Sequence, residues 1–218
     1  MLQESKLRVK WADKKIRDIE LFLKGGWQHR PEAILAQKKT ETRDRYFVLK
    51  DLFEEEIVCL ASEFALHARC ALDYIIYRLS CIDSPSEFRG EDDRTQFPVD
   101  KPEQIFERHQ SGWLKHLSSE HFAMVQQLQP DSNAHPLLLL IGLSNIDKHR
   151  EFIRFGFGMI ERSVPAKETK VRQPDEMQMD FERSFIVSLY NGTWIEEALP
   201  QILAEVRKIV DHFDRILG

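Results

Sequence analysis

The sequence predicts an α+β fold that is mainly α: a helical bundle carrying a small antiparallel sheet as an annex. Three observations carry this expectation. Apolar residues recur at three- and four-residue spacing through residues 52–80, with no glycine or proline to interrupt them, as in a long amphipathic helix. "HPLLLLIGL" (135–143) is apolar nearly all round and opens on Pro136, a residue favoured in the first turn of a helix. Beyond residue 150 the period changes, and "FIRFGFGMI" (152–160) and "MQMDFERSFIVSLY" (177–190) read as strands.

Taken in order, residues 4–24 form an amphipathic helix on which Leu7, Trp11, Ile19 and Phe22 share the apolar face, with Gly25 as its stop. "DRYFVLKD" (44–51) is short and rich in aromatic residues, hence a strand. In the long helix that follows, Ile57, Ala61, Phe64, Ala68, Leu72, Ile75 and Leu79 make the core stripe. "DSPSEFRGEDD" (83–93) is a loop, and "TQFPVDKPEQIF" brings a turn and a short helix from about 102. Ser118 or Ser119 caps the helix in "SSEHFAMVQQLQP", which Pro130 stops. The apolar helix 136–150 has no solvated face and is expected to be the most buried element. Thr193 and Glu196 make a capping box for a last helix, which begins there or at Pro200 and runs to 217. The helical core is thus about 1–24, 52–150 and 194–217, with strands about 44–50, 152–160 and 177–190, in a single domain spanning 1–218.

Composition narrows the function. Of the residues, 42% are hydrophobic and 31% charged, and the net charge is −5. That balance removes whole-molecule attraction to nucleic acid or to an anionic membrane, so a polyanion would need a local basic patch. The charged N-terminus does not read as a signal peptide, and no apolar run approaches the ~20 residues of a membrane span. The expectation is a cytoplasmic protein with no membrane partner. Cys59, Cys70 and Cys81 recur every eleven residues, about three turns and ~16 Å apart on one helix stripe, too far for a mutual disulfide or a shared metal. The eight histidines form no persuasive metal-ligand pair, and no phosphate loop or zinc motif occurs, so neither metal nor cofactor is expected.

Two polar constellations stand out. The first closes the apolar helix: Asn145, Asp147, Lys148, His149 and Arg150. Asn145 and His149 share the stripe of Leu138 and Ile141, which places them in the interior or at the edge of a cleft. The bland account is that Lys148, His149 and Arg150 offset the carbonyl end of the helix dipole while Asp147 pairs with Arg150. The sharper one is a small positive cleft for a phosphate, with His149 as general acid or base. The second lies in "HARCALDYIIYRL" (67–79). Glu56, Glu63, His67, Tyr74 and Arg78 occupy one arc of the long helix, and Arg69 and Asp73 a neighbouring row one turn apart. Such an arc is ordinarily a solvated face, yet His67, Cys70, Tyr74 and Tyr77 suit a face covered by a second helix or a second copy.

"HARCALDYIIYRL", "TQFPVD", "LQP" and "HPLLLLIGLSNIDKHR" together resemble a widespread family of uncharacterised bacterial proteins, over roughly residues 5–215. More distantly, the long helix resembles the Arg-x-x-x-x-His signature of HEPN domains, helical bundles, often dimeric, that include metal-independent ribonucleases. The resemblance implies a homodimer that meets RNA or a nucleotide phosphate at a cleft between the long helix and the DKHR helix. Arg69 matches the signature arginine, whereas the histidine position holds Tyr74. A phenol titrates near ~10 and is a poor base at neutral pH, so the enzyme class, a metal-independent endoribonuclease, is expected in a form that has lost cleavage. On this reading Arg69, Lys148 and Arg150 hold phosphate, His149, His67 and Tyr74 are the candidates for proton transfer, and Asp73, Asn145 and Asp147 orient them. The alternative is a non-enzymatic protein-interaction module whose polar clusters only close the fold.

Overall fold

The computed structural model describes residues 2–26, 35–38, 45–49, 55–88, 94–101, 106–148, 155–165, 179–189 and 195–218, with side chains for 2–23, 56–88, 94–101, 106–145 and 195–218. Five α-helices follow one another: α1 (Gln3–Gly26), α2 (Glu55–Asp83), α3 (Ser119–Gln127), α4 (Pro136–Lys148) and α5 (Ile195–Leu217), with a 3-10 turn at Phe106–His109. Helix α2 packs against α1, α4 and α5, and α5 against α1 and α4.

The reason α2 takes the centre is its sequence. Ile57, Ala61, Phe64, Ala68, Leu72, Ile75 and Leu79, the stripe foreseen from periodicity, are all fully buried. Ala65, Ala71 and Ile76 widen that stripe to nearly half the circumference, and the alanines let neighbouring helix backbones come close. Helix α5 answers with Ile202, Val206, Ile209, Val210 and Phe213, spaced at three and four residues along a strongly amphipathic sequence. It begins at Ile195, and Pro200 lies within it rather than at its start. Thr193 of the expected capping box lies outside the described residues. Of the two cap candidates it is Ser118 that caps α3, its hydroxyl accepting from the His121 amide at 3.3 Å.

The expected fold class needs correction. The body whose side chains are described is all-helical, and no strand occurs in it. Among the described residues its core draws on the five helices, on Leu2 just before α1, and on Phe97, Phe106 and Leu114 from the connections between them. The physical reason is that the apolar stripes of α1, α2, α4 and α5 satisfy one another, so among the described side chains the core closes without an α+β annex. Outside that body the backbone alone follows four short antiparallel stretches, Leu35–Lys38, Arg45–Leu49, Phe155–Pro165 and Met179–Leu189, adjacent in that order. They number four against the three expected.

Two helix faces also differ from the reading of the sequence. Leu7 and Trp11 of α1 are 54% and 41% exposed, and the helix instead buries Ser5, Val9, Ala12 and Ile19, with Leu2 buried just before it. Helix α4 buries Leu137, Leu140, Leu143 and Ser144, while Leu138, Leu139 and Ile141 are half-buried. Among the described residues α2 contributes more buried side chains than α4 does. Asn145 is exposed, so of its two expected placements, the interior and the edge of a cleft, the interior one is excluded. It falls on the outer stripe with Leu138 and Ile141, away from the buried row.

Truncating the buried row of α4 tests its weight. Leu140→Ala should cost about 2–5 kcal/mol in urea or guanidinium unfolding, the usual range for a fully buried leucine. A loss under half a kcal/mol would mean that α4 does not belong to the cooperative core.

Candidate functional site

The polar residues of α2 divide into two sets that face different neighbours. Arg69 and Asp73 point toward the 94–101 segment. Arg69 is only 3% exposed; its Nη2 lies 3.1 Å from Asp73 Oδ1 and donates to the Phe97 carbonyl at 2.5 Å. Asp73 in turn accepts from the Phe97 amide at 2.9 Å. Both backbone groups of Phe97 are thus held by one helical turn of α2, and the Phe97 ring is fully buried beneath them.

The same segment is gripped at its other end. Gln129 donates to the Pro98 carbonyl at 3.0 Å and accepts from the Asp100 amide at 3.1 Å. Asp100, itself buried, pairs with His109 Nε2 at 2.8 Å and with Arg108, and Trp113 stacks on the His109 ring. "ALDY", "TQFPVD" and "LQP", far apart in sequence, are therefore parts of one hydrogen-bonded clamp. Sequence reasoning singled out Arg69 and Asp73 but missed Asp100, His109 and Gln129. The available signal was their presence in otherwise irregular stretches, where a buried backbone must find side-chain partners.

The clamp leaves a residue of unmet demand. Arg69 Nε and Nη1 are buried and have no hydrogen-bond partner among the described residues. Burial pushes the guanidinium below its ordinary value, and the Asp73 carboxylate opposes that shift. Arg69 is a positive charge enclosed by protein, with no open path to a phosphate.

The second set faces α1. Arg8 Nη1 donates to His67 Nδ1 at 3.0 Å, and its guanidinium lies over the Tyr74 ring, 5.8 Å from the centroid. Trp11 stacks on the other side of His67 with ring centroids 6.1 Å apart, and Lys15 pairs with Glu63. Helix α1 is thus the covering helix that the unusual composition of this arc called for. An arginine can only donate, so His67 accepts at Nδ1 and carries its proton at Nε2. Burial, then the Arg8 charge, hold its pKa below 6.5, with Glu63 pulling the other way and Lys15 adding to the depression. Arg8 has a central place in this arrangement that the sequence alone did not signal.

Further along the same face, Tyr77 (43% exposed) and Arg78 are open to solvent. A hollow of about 160 Å³ is lined by Cys70, Asp73, Tyr74, Tyr77 and Thr95. A larger one of about 550 Å³ is lined by Leu2, Gln3, Glu4, Ser5, Tyr74, Tyr77 and Arg78. None of the three cysteines is in a disulfide; Cys59 is exposed, and Cys70 and Cys81 are half-buried.

Of the residues singled out in the sequence, the structure brings His67 and Tyr74 together through Arg8, and Arg69 with Asp73, but it separates the two pairs. Asn145 stands on the exposed face of α4. Asp147 and Lys148 lie within α4 but their side chains are outside the described residues, as are His149 and Arg150 altogether. Among the described residues no group of three or more His, Cys, Asp and Glu side chains could hold a metal ion. Among them, too, no helix is long and apolar enough to cross a membrane.

The clamp and the strip give separable predictions. Arg69→Ala removes the cation beside Asp73 and the donor to the Phe97 carbonyl and should destabilise by on the order of 2–4 kcal/mol in chemical denaturation. A loss below about 0.5 kcal/mol, the range of an unimportant surface change, would show that the clamp does not hold the segment.

For His67 the folded pKa is depressed, so the unfolded chain binds more protons in the window at and below pH 6.5. Its contribution to stability is present above that pH and is lost as the pH falls through the window. In urea titrations between pH 8 and 5, His67→Gln should therefore lose less stability on acidification than the wild type. Parallel pH profiles would show that the imidazole is not held neutral.

A scan of the chain against protein-family models found no match, and searches of curated proteins and of solved structures found none either.

Proposed function

We propose that this chain is a HEPN-like helical protein that holds RNA or a nucleotide by its phosphate and base, acts as a homodimer, and does not cleave what it binds. The observation that carries this reading is the strip on α2 where Arg8 links His67 to Tyr74, continued by Tyr77 and Arg78 beside two hollows. Cations interleaved with open aromatic rings suit a single-stranded ligand, because every base offers a π-face and every linkage a negative charge. The site proposed lies on the α1 side of the long helix, and Arg69 acts in it only by fixing the clamp. Cleavage has no base on this strip: His67 has its accepting nitrogen occupied by Arg8, and Tyr74 stands where a HEPN ribonuclease carries histidine.

The homodimer is supported by the outward seam of α2. Cys59, Leu66, Cys70 and Tyr77 follow one another at seven- and four-residue spacing, and Leu66 is 50% exposed. An antiparallel copy would bring Glu63 toward Arg78 of its partner, whereas a parallel one would set like beside like. The second reading, a protein-interaction module, is favoured by Leu7, Trp11 and Leu66, large apolar side chains exposed on adjacent helices.

Fluorescence anisotropy with a labelled single-stranded RNA, without metal, separates the two readings. Binding should weaken steeply between about 50 and 200 mM salt, and Arg8→Gln with Arg78→Gln should remove most of it. Tyr74→His restores the signature histidine, and metal-free cleavage by that variant would support the HEPN resemblance. Absence of binding at low salt by a well-folded protein would leave the interaction module as the better reading.

A further inference from the structure

The smaller hollow has the outline of a socket. Cys70, Asp73, Tyr74 and Tyr77 surround it on α2, with Thr95 on its flank. Those four helix positions, i, i+3, i+4 and i+7, are the ones that make the hole for a knob from a facing helix. The larger walls are held in place. Arg8 lies over the Tyr74 ring, Tyr77 meets Phe88 edge-on with ring centroids 5.3 Å apart, and Asp73 is tied to Arg69 and to the Phe97 amide. The hollow measures about 160 Å³, room for the isobutyl group of a single leucine.

A knob stands one turn before the socket. Leu66 is 50% exposed on the same face. Around it Cys59, Glu63, Leu66, Cys70, Asp73 and Tyr77 succeed one another at alternating spacings of four and three residues, and none of the six is buried. That alternation is the seam of a two-stranded coiled coil. A helix cannot seat its own side chain in its own hole, so a knob and a socket on one seam call for a second helix of the same kind.

Three pairings agree on how that second helix is placed. In an antiparallel pair, positions equidistant from the two-fold axis stand opposite each other. Leu66 and the middle of the socket, between 73 and 74, are equidistant from a point just before residue 70. Cys59 and Cys81 lie eleven residues to either side of Cys70. Glu63 and Arg78 are equidistant from a point between 70 and 71, and their charges are opposite. We propose that two copies of this chain join antiparallel through α2, with Cys70 on the two-fold axis and Leu66 of each seated in the Cys70–Asp73–Tyr74–Tyr77 socket of the other. This rests on the homodimer reading above and gives it a register and a socket. Glu63 and Asp73 leave the seam part polar, a pattern that lowers affinity and favours a single register.

Analytical ultracentrifugation of the full chain tests the contact. The wild type should sediment as a dimer at concentrations on the order of 50 μM. Leu66→Glu should raise the dissociation constant by about tenfold or more. At a dilution where both are monomeric its melting temperature should stay near that of the wild type, because half of this side chain is already in water. Arg78→Glu should weaken the dimer as well. Glu63→Arg does the same but also breaks the pair with Lys15, so rescue is the informative result: the double variant should dimerise more tightly than either single one.

The cysteines read the register directly. In Cys70→Ser, a short bismaleimide should link Cys59 to Cys81 in the dimer band, identified by peptide mass spectrometry. Within one chain these thiols stand ~33 Å apart along α2, so only a second copy brings them together. In Cys59→Ser with Cys81→Ser, diamide should join Cys70 to its twin, taking one hydrogen from each thiol as the S–S bond forms. A dimer whose crosslinks join Cys59 to Cys59 and Cys81 to Cys81 refutes the antiparallel register. A dimer indifferent to Leu66→Glu and to the charge variants refutes the α2 seam but leaves a homodimer through another face. A wild type that stays monomeric at its highest soluble concentration refutes register and homodimer together, while RNA binding by that monomer would still uphold the strip.

Discussion

The separation between helix axes around α2 governs the rest of the molecule. Ala61, Ala65, Ala68 and Ala71 are all fully buried, and small residues permit backbones to approach more closely than leucine-on-leucine packing does. Such an approach constrains what α1 can place opposite: Ser5, Val9 and Ala12 are buried there, while Leu7 and Trp11 stay outside. The rotation of α1 that follows puts Arg8 over His67 and Tyr74. The strip that carries the proposed function is thus a consequence of core packing rather than a feature added to it.

A second constraint comes from burying irregular backbone. The 94–101 segment crosses the bundle without a helix of its own, so its amides and carbonyls need partners from elsewhere. Arg69, Asp73 and Gln129 provide them, and the Asp100–His109 pair fixes the far end. Enclosing an arginine for this purpose is costly, and the two unpartnered nitrogens of Arg69 show that the enclosure is incomplete. An ion pair used this way specifies one seating of the segment, because any other seating would leave the charge unmatched.

Two uses of charge are therefore distinguishable on one helix. Where α2 meets the 94–101 segment, charge is sealed and structural. Where it meets α1 it is half-open, and His67 is held neutral by burial and by the neighbouring cation. Residues only two positions apart, His67 and Arg69, fall on opposite sides of this division because successive positions on a helix turn by about 100°. That rotation prevents Arg69 and the His67–Tyr74 pair from sharing a ligand within one chain.

By itself the sequence determined the helices and the centre of the core. The core stripe of α2, the Ser118 cap and the Pro136 start follow from side-chain spacing and local hydrogen-bonding capacity, which act within a few residues. The pairing of Arg69 with Asp73 was legible for the same reason. What only the tertiary structure decided is which face of each helix is used and which distant residues meet. Periodicity shows that α1 and α4 are apolar but not which arc their neighbours cover, so Leu7 and Trp11 were assigned inward and lie outward. An all-helical body was read as α+β because strand-like periods lie in the same chain, and spacing does not reveal whether a core needs them. Arg8 gave no local signal, since His67 lies 59 residues away and chain packing alone brings the two within a hydrogen bond.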